Sequence, residues 1–437
     1  MTDTLFNQIL SIVNWISIFL FVVVFILHTI RRKKDFFTSA TYITIGILVP
    51  LILYYFKWSY VIQKEPSNGF YWLFICLFAL SAIFQLSTRS SLFCEQQIEL
   101  KNGRTLFVGA VNIFWLITIL LNNLYCSGSL FPSLAGIDSH VDNAPILMYF
   151  VRSTYAVIAL DILCYIKFNR IKYLLFAFAQ VVLPVVSSSG RMVAAEAAVC
   201  GVSLYLFLKL NGYGKHRVKK EEKRKLKLYQ IFLLVALGSA GIYALISVGI
   251  YRASHFGKYI ISYATTIGYT GPLGEVGAWL YGYFVISINN LNQTILAHAE
   301  NPNFIGLYSF SSLFFGIFQF DNIFGFDSGA AQHASVYSLR EATVPTGLWS
   351  FYYDYSILVF IPMVVAFIKE LWLRQKVFTS RKSLIWCALY FYYIPEWLFM
   401  GFTNTIFSVT GITTGVIIYI LLSVFLRTTE QECPDYV

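Results

Sequence analysis

Residues that could carry out acid–base chemistry are concentrated in one stretch, from His333 to Asp354. A histidine titrates near neutral pH, so His333 is able to take a proton from an attacking hydroxyl. Arg340 follows it, and Asp354 lies about two turns into the next apolar run, counted at 3.6 residues per turn. We predict His333, Arg340 and Asp354 as catalytic residues. The alternatives are a histidine that only makes hydrogen bonds within its loop and an aspartate that only supports that loop.

Three arginines lie at the ends of apolar runs, away from the main clusters of basic residues. Arg191 ends a turn of Ser187-Ser-Ser-Gly-Arg191, Arg252 follows a later run, and Arg152 lies near the start of an earlier one. A planar guanidinium binds phosphate oxygens through two parallel hydrogen bonds. We therefore predict that these arginines bind a diphosphate, with Glu196 as a candidate partner of Arg191. The alternative is snorkelling of each side chain to a membrane interface, which we favour for Arg152.

The outer segments lack the spacings that usually bind metals. They contain no Asp-x-Asp, His-Glu-x-x-His or Cys-x-x-Cys pattern. Asp321 and Asp327 are separated by an aromatic loop, and we interpret them as structural. We predict no metal and no cofactor. Leaving-group charge would then have to be neutralised by arginines.

The composition predicts how these residues are held. The chain has 437 residues, of which 57% are hydrophobic and 12% charged. Its repeated apolar runs have about the 20 residues that a transmembrane helix needs. We predict an all-α, polytopic membrane helix bundle of about eleven transmembrane helices. The predicted spans lie near Ile9–Ile30, Thr38–Trp58, Phe70–Leu86, Thr105–Tyr125, Leu147–Ile166, Tyr173–Val186, Met192–Leu208, Tyr229–Tyr251, Leu348–Ile368, Leu384–Phe402 and Ile406–Leu426.

The distribution of basic residues predicts the orientation. The net charge is +10, and 25 of the 32 Lys and Arg fall in alternate connections, including Lys209–Lys227 and Lys369–Lys382. This positive-inside pattern makes those connections cytoplasmic. The N-terminus is then outside and the C-terminus inside, as expected for a multi-pass protein of a cytoplasmic membrane. The basic clusters are explained by anionic lipid, so we predict membrane lipid as a partner and no nucleic acid.

The spans divide the chain into four regions. Residues 1–251 form the N-terminal helices, 252–347 a large outer segment, 348–427 the C-terminal helices and 428–437 a cytoplasmic tail. The outer segment is rich in aromatic residues, which favour a membrane interface and also stack on sugars. We expect helices that lie on or dip into the outer leaflet. Gly274–Leu296 and Phe304–Phe320 could form a further hairpin and raise the count to thirteen, but Asn289 and Asn290 argue against it.

Four motifs in this order carry a family resemblance: the Ser187–Arg191 turn, the Tyr251-Arg252 exit, Tyr281-Gly-Tyr-Phe-Val-Ile-Ser-Ile-Asn-Asn290 and Thr346-Gly-Leu-Trp-Ser-Phe-Tyr-Tyr-Asp-Tyr355. The chain resembles the bacterial O-antigen and capsule oligosaccharide repeat-unit polymerases, often called Wzy. The resemblance covers roughly Ile171 to Val365. The family's usual glycine after the aspartate is replaced here by Tyr355-Ser356.

The resemblance implies a multi-span, GT-C-like glycosyltransferase on the outer face of the bacterial inner membrane that needs no metal. Such enzymes move a growing glycan from one undecaprenyl diphosphate to the sugar of another lipid-linked repeat unit. Arg191 and Arg252 would contact the diphosphate, His333 and Arg340 would act in the loop, and aromatic residues would hold the sugars. The resulting candidates for sugar binding are Tyr281, Asn289, Asn290 and Tyr353. Chain-length regulator and flippase proteins are implied partners.

Two other functions remain open from the sequence. A ligase of the same fold would transfer finished glycan to another acceptor. A flippase or transporter of lipid-linked oligosaccharide would need charged groups deep in several spans, where Asp161 and Glu396 are the main carboxylates. No internal repeat with matching broken spans is visible, which favours an enzyme with its site at the outer surface.

Overall fold

The computed structural model describes twelve stretches of the chain. They are residues 2–31, 36–62, 65–88, 98–101, 103–132, 147–186, 191–211, 263–298, 300–337, 346–380, 383–401 and 406–427. Within these stretches the regular structure is helical, apart from two isolated β-bridges. The predicted span Tyr229–Tyr251 lies outside the described residues, as does the C-terminal tail.

The helices of the N-terminal region correspond closely to the predicted spans. They are α1 (Thr2–Arg31), α2 (Ser39–Ile43), a π-helical turn (Thr44–Leu48), α3 (Val49–Tyr55), α4 (Asn68–Ser87), α5 (Phe107–Ser127), α6 (Leu147–Arg152), α7 (Thr154–Phe168), α8 (Ile171–Val186) and α9 (Arg191–Leu210). Local residues fix several of their ends. The Ser67 side chain accepts a hydrogen bond from the Phe70 amide at the start of α4, and Gly128 ends α5 with a φ of +69°.

The second half of the chain contains shorter and more broken helices. They are α10 (Tyr263–Thr266), α11 (Gly274–Leu296), a π-helix (Ser312–Ile317), α12 (Phe320–Phe324), α13 (Ala330–His333), α14 (Gly347–Tyr355), α15 (Phe360–Thr379), α16 (Ser383–Tyr393), α17 (Glu396–Phe399) and α18 (Val409–Phe425). In the bundle α4 packs against α1 and α15, while α7 packs against α8, α9 and α18.

The all-helical architecture is confirmed among the described residues, and some of its helices could cross a membrane. Among the described helices, four are long and apolar enough to cross a membrane, and five if one bent pair counts as a single span. The N-terminal span, Leu5–Arg31, has only 22% of its apolar window buried inside the protein, so most of that surface is left for lipid. The total of eleven helices and the GT-C-like arrangement stay predictions.

The predicted span Leu348–Ile368 is not one straight helix. α14 ends before Ser356, which has a φ of +46°, and a 3-10 turn over Ser356–Leu358 follows. The segments Gly347–Leu358 and Phe360–Thr379 then meet at 118°. α15 then runs on to Thr379, so Lys369 lies inside a helix and not in a connection as predicted. Tertiary contacts explain this continuation, because Lys369 pairs with Glu396 and Glu370 accepts a hydrogen bond from the Ser39 amide.

The helix α11 packs on the linker between α3 and α4. The Asn292 side chain accepts a hydrogen bond from the Ser67 amide at 2.9 Å and donates one to the Tyr54 hydroxyl at 3.1 Å. Nearby, Ser59 forms a β-bridge with Tyr269. α11 is not among the described helices apolar enough to span a membrane, and Phe304–Phe320 contains turns and a π-helix in place of a second long helix. These contacts do not support a further transmembrane hairpin.

Candidate functional site

The structure describes most of the predicted site residues. Arg152, Tyr281, Asn289, Asn290, His333, Tyr353 and Asp354 all lie within described stretches. Arg191 is the first residue of α9, where the structure describes the helix backbone. Arg252 and Arg340 lie outside the described residues, so their predicted roles stay predictions.

His333 forms a pair with Asp327 on the outer segment. His333 Nδ1 lies 3.0 Å from Asp327 Oδ2, and the two side chains are 74% and 56% exposed. The backbone amide of Gly329 donates a hydrogen bond to Asp327 Oδ1 at 2.8 Å, just before the short helix α13. The pair therefore combines an oriented imidazole with open access to solvent.

From the sequence we interpreted Asp327 as structural and did not predict its pairing with His333, six residues later. A signal was present: an aspartate followed by Ser-Gly and then a helix-forming run is typical of a side chain that binds backbone amides at a helix start. The glycine matters in this turn. A Cβ built on Gly329 would lie 2.9 Å from His333 Cε1, so a larger residue there would push the ring away.

The local field keeps Asp327 in its charged form. The Gly329 amide and then the His333 side chain hold the pKa of the Asp327 carboxyl below its usual range. A carboxylate that binds Nδ1 fixes the tautomer of a histidine and leaves Nε2 as the nitrogen that can accept a proton. The arrangement is suited to general base chemistry on a hydroxyl that reaches it from solvent.

Asp354 positions this pair through an intervening tyrosine. The buried carboxylate of Asp354 accepts hydrogen bonds from the backbone amides of Tyr308 and Ser309 and from the Asn303 side chain at 3.1 Å. The Tyr308 hydroxyl in turn donates to the Asp327 carbonyl oxygen at 2.9 Å. Burial raises the pKa of the Tyr308 hydroxyl to about 12, so it remains a donor at neutral pH. These contacts give Asp354 the role of a positioning residue.

A second contact fixes the other side of the pair. The indole of Trp349 on α14 donates a hydrogen bond to the Ala331 carbonyl oxygen of α13 at 2.7 Å. Tyr353 lies between the two supports, with its ring 5.3 Å from that of Trp349 and 5.0 Å from that of Tyr308. The pair is thus supported from α14, the helix that enters the C-terminal bundle.

The four residues predicted to bind sugar are buried. Tyr281 packs against the rings of Trp58 and Tyr269, and Asn289 and Asn290 lie within the buried face of α11. Tyr353 is enclosed as described above. A sugar could reach these side chains only if they became exposed, so the present geometry supports a packing role for all four.

A second charged pair lies inside the C-terminal bundle. Lys369 Nζ is 3.5 Å from Glu396 Oε2, donates a hydrogen bond to the Ile406 carbonyl oxygen at 2.7 Å and lies 3.8 Å from the centre of the Tyr393 ring. Glu396 is the first residue of α17, directly after the break at Pro395. The carboxylate is 1% exposed and neither of its oxygens has a hydrogen-bond partner among the described residues. Sequence reasoning recognised Glu396 but missed its lysine.

Electrostatic contacts connect this pair to the predicted arginines. Glu196 on α9 interacts with both Glu396 and Arg152, and Arg152 has an exposed side chain at the end of α6. Glu196 was predicted as a partner of Arg191, and this stays a prediction because the Arg191 side chain lies outside what the structure describes. Arg191 begins the same helix as Glu196.

Metal ligands do not cluster in the part of the chain that the structure describes, where no group of three or more His, Cys, Asp or Glu side chains could hold an ion. The chain also has no match to known proteins: no family model, curated protein sequence or solved structure matches it. The candidate site therefore rests on the geometry of its own residues.

Proposed function

We propose that this chain is a membrane glycosyltransferase that polymerises undecaprenyl-diphosphate-linked oligosaccharide units into O-antigen or capsular polysaccharide. The reaction takes place on the outer face of the bacterial cytoplasmic membrane. The observation that supports it best is the exposed His333–Asp327 pair, which is oriented by hydrogen bonds and supported from α14. A chain-length regulator and a flippase are proposed protein partners.

In this mechanism His333 acts as the general base. Its Nε2 takes the proton of an acceptor sugar hydroxyl, and the resulting oxygen attacks the anomeric carbon of the growing chain. The bond from that carbon to the diphosphate oxygen breaks, and undecaprenyl diphosphate leaves with the electron pair. The Asp327 carboxylate stabilises the imidazolium that forms. The proton then passes to solvent, to which His333 is open.

The proposed role of the arginines is to neutralise the leaving diphosphate. The proximity of Arg152 to Glu196, and of Glu196 to the start of α9 at Arg191, supports a shared anion site for these two. We include Arg252 and Arg340 in this anion site because of the sequence motifs alone. Preorganised cationic donors stabilise developing charge without a metal ion. A ligase would use the same groups with another acceptor.

The decisive experiment is a polymerisation assay in nanodiscs with the lipid-linked repeat unit, in the presence of a chelator, with products resolved by size. A ladder of lengthening lipid-linked glycan is expected from the unsubstituted protein. His333→Asn should abolish the ladder, and His298→Asn is the matched control because His298 is another exposed histidine of the outer segment. A full ladder from His333→Asn, or a chelator-dependent one, would contradict the mechanism.

A flippase for lipid-linked oligosaccharide is the second candidate. The observation that favours it is the Lys369–Glu396 pair beside the break between α16 and α17, since broken helices with charged groups often form transport sites. Reconstitution into liposomes separates the two functions. Movement of the lipid-linked unit across the bilayer without any joining of units would favour the flippase.

A further inference from the structure

The outer segment presents a compact group of apolar side chains next to the His333–Asp327 pair. Five of these side chains are between 43% and 65% exposed. We call them the aromatic wedge, and they are Ile317, Phe318, Ile323, Phe324 and Phe326. Contiguous exposed apolar groups of this kind usually mark a contact with a protein, a ligand or a membrane.

The wedge is a packed structure. The Phe320 ring lies 5.1 Å from Phe314, 6.1 Å from Phe318 and 5.0 Å from Phe324, so one half-buried ring supports the exposed ones. Two residues with positive φ, Gln319 at +49° and Gly325 at +70°, turn the chain on either side of α12. The exposed rings are therefore held outward by the fold, and their burial by a partner would be favourable by roughly 25 cal/mol per Å².

The wedge adjoins the lipid-facing surface of the bundle. The π-helix Ser312–Ile317 contacts α18, and Phe310 lies 4.4 Å from Phe407, just before α18 begins. α18 exposes Ile412, Val416 and Ile420, which are spaced four residues apart and so share one face. A helix of the membrane bundle with such a face needs lipid beside it. Because the wedge continues the exposed apolar face of α18, we take the bilayer as the partner that buries it.

We propose that the aromatic wedge inserts into the outer leaflet of the bilayer and holds the His333–Asp327 pair at the level of the lipid headgroups. Polar residues adjoin the wedge on both sides: Gln319, Asp321 and Asn322 lie between its members, and Asp327 follows Phe326 directly. Aromatic rings with polar neighbours are favoured where hydrocarbon meets headgroups. One consequence rests on the proposed function. In that reaction, the acceptor hydroxyl would belong to a sugar whose lipid anchor holds it at the membrane surface.

Nitroxide accessibility in nanodiscs of phosphatidylethanolamine and phosphatidylglycerol tests the insertion without any assay of activity. Cys94, Cys126 and Cys433 are first changed to Ser so that they do not take up the label. A spin label is then attached to Phe324→Cys and, as the matched control, to Gln332→Cys. The label at 324 should be relaxed more by oxygen than by a water-soluble nickel chelate, and the label at 332 more by the chelate. Preference for the chelate at both positions would overturn the proposal.

A photoactivatable lipid that carries its diazirine in the acyl chain gives a second test on the unsubstituted protein. Peptides that contain residues 317–326 should be cross-linked to lipid, as should the lipid-facing helix α1 as a positive control. Labelling of α1 without labelling of the wedge would reject insertion. Because neither test involves glycan transfer, their failure is distinguishable from failure of the proposed function.

Discussion

The outer segment and the C-terminal bundle each contain one acid–base pair, and the two pairs have opposite environments. His333 and Asp327 are 3.0 Å apart and largely exposed, whereas Lys369 and Glu396 are 3.5 Å apart with a carboxylate that is 1% exposed. An exposed pair adds little to stability, so its geometry leaves it available for chemistry. A buried pair has already lost its hydration, and loss of one partner strands a charge. Exposure therefore separates a candidate catalytic pair from one that stabilises the bundle.

Phe407 is one of the residues at which the two regions meet. The Phe407 ring lies 4.4 Å from Phe310 of the outer segment, and Lys369 Nζ lies 5.8 Å from its centre. Phe407 also contacts Phe351 on α14, the helix that supports the His333–Asp327 pair. Phe407 thus lies between the buried pair and the helix that supports the exposed pair. Substitutions in the two pairs should separate activity from stability.

Removal of the histidine should have the largest effect. We expect His333→Asn to lower the polymerisation rate by about 10²- to 10⁴-fold, because a general base typically contributes that much. Thermal unfolding in detergent should be almost unchanged, since the side chain is 74% exposed. The same rate for His333→Asn and for the His298→Asn control would break the assignment of catalysis to the exposed pair.

Loss of the buried carboxylate should have the largest effect on stability. Glu396→Ala leaves the Lys369 ammonium without its counter-charge, which should cost about 3–5 kcal/mol of unfolding free energy. The measurement is thermal or denaturant unfolding in detergent. Lys369→Met combined with Glu396→Leu is the control, because it removes both charges and should recover much of the loss. Equal stability of the Glu396→Ala variant and the unsubstituted protein would show that the buried pair does not stabilise the bundle.

Substitution of Asp354 should affect both regions. Asp354→Ala leaves the buried amides of Tyr308 and Ser309 without an acceptor, at about 1–3 kcal/mol for each amide. Activity should fall as well, because Tyr308 would no longer fix Asp327. Asp354→Asn keeps one acceptor oxygen and should restore part of both properties. If Asp354 were itself the proton acceptor, the asparagine variant would be as inactive as the alanine variant while its stability recovered.

The glycine of the turn gives a smaller and more local effect. Gly329→Ala places a methyl group against the His333 ring, so the rate should fall by about tenfold as the base moves from its productive geometry. Its stability should stay close to that of the unsubstituted protein, and Ala334→Gly on the other side of His333 serves as a control for local backbone change. An unaffected rate would mean that the ring position seen here is not the active one.

The pH dependence of the exposed pair should be the smallest effect. Because the pKa of Asp327 is lowered in the folded protein, its interaction stabilises the fold above the ordinary carboxyl pKa of about 3.9 and is lost as the pH falls below that value. The difference in melting temperature between the unsubstituted protein and Asp327→Asn should be constant from neutral pH to mild acid and then close. If the difference in melting temperature disappeared near neutral pH, the pH dependence would belong to a group other than Asp327.

Hydropathy predicted the positions of several N-terminal helices correctly. α1, α4, α5, α8 and α9 begin and end within a few residues of the predicted spans, except that α1 starts seven residues earlier. Such spans are predictable because every backbone amide in hydrocarbon must be paired within its own helix, which requires a long apolar run. The bend between Gly347–Leu358 and Phe360–Thr379 was not predicted, because apolar residues continue on both sides of it.

The sequence by itself determined that this is a helical membrane protein, where its apolar runs lie, and that His333 and several arginines are its candidates for chemistry. Only the tertiary structure decided which partners these residues have. Asp327 pairs with His333 across a turn, and Lys369 pairs with Glu396 across two helices. Hydropathy depends on the chemistry of each residue in a local window, whereas an ion pair depends on the distance between side chains that the chain brings together only after folding.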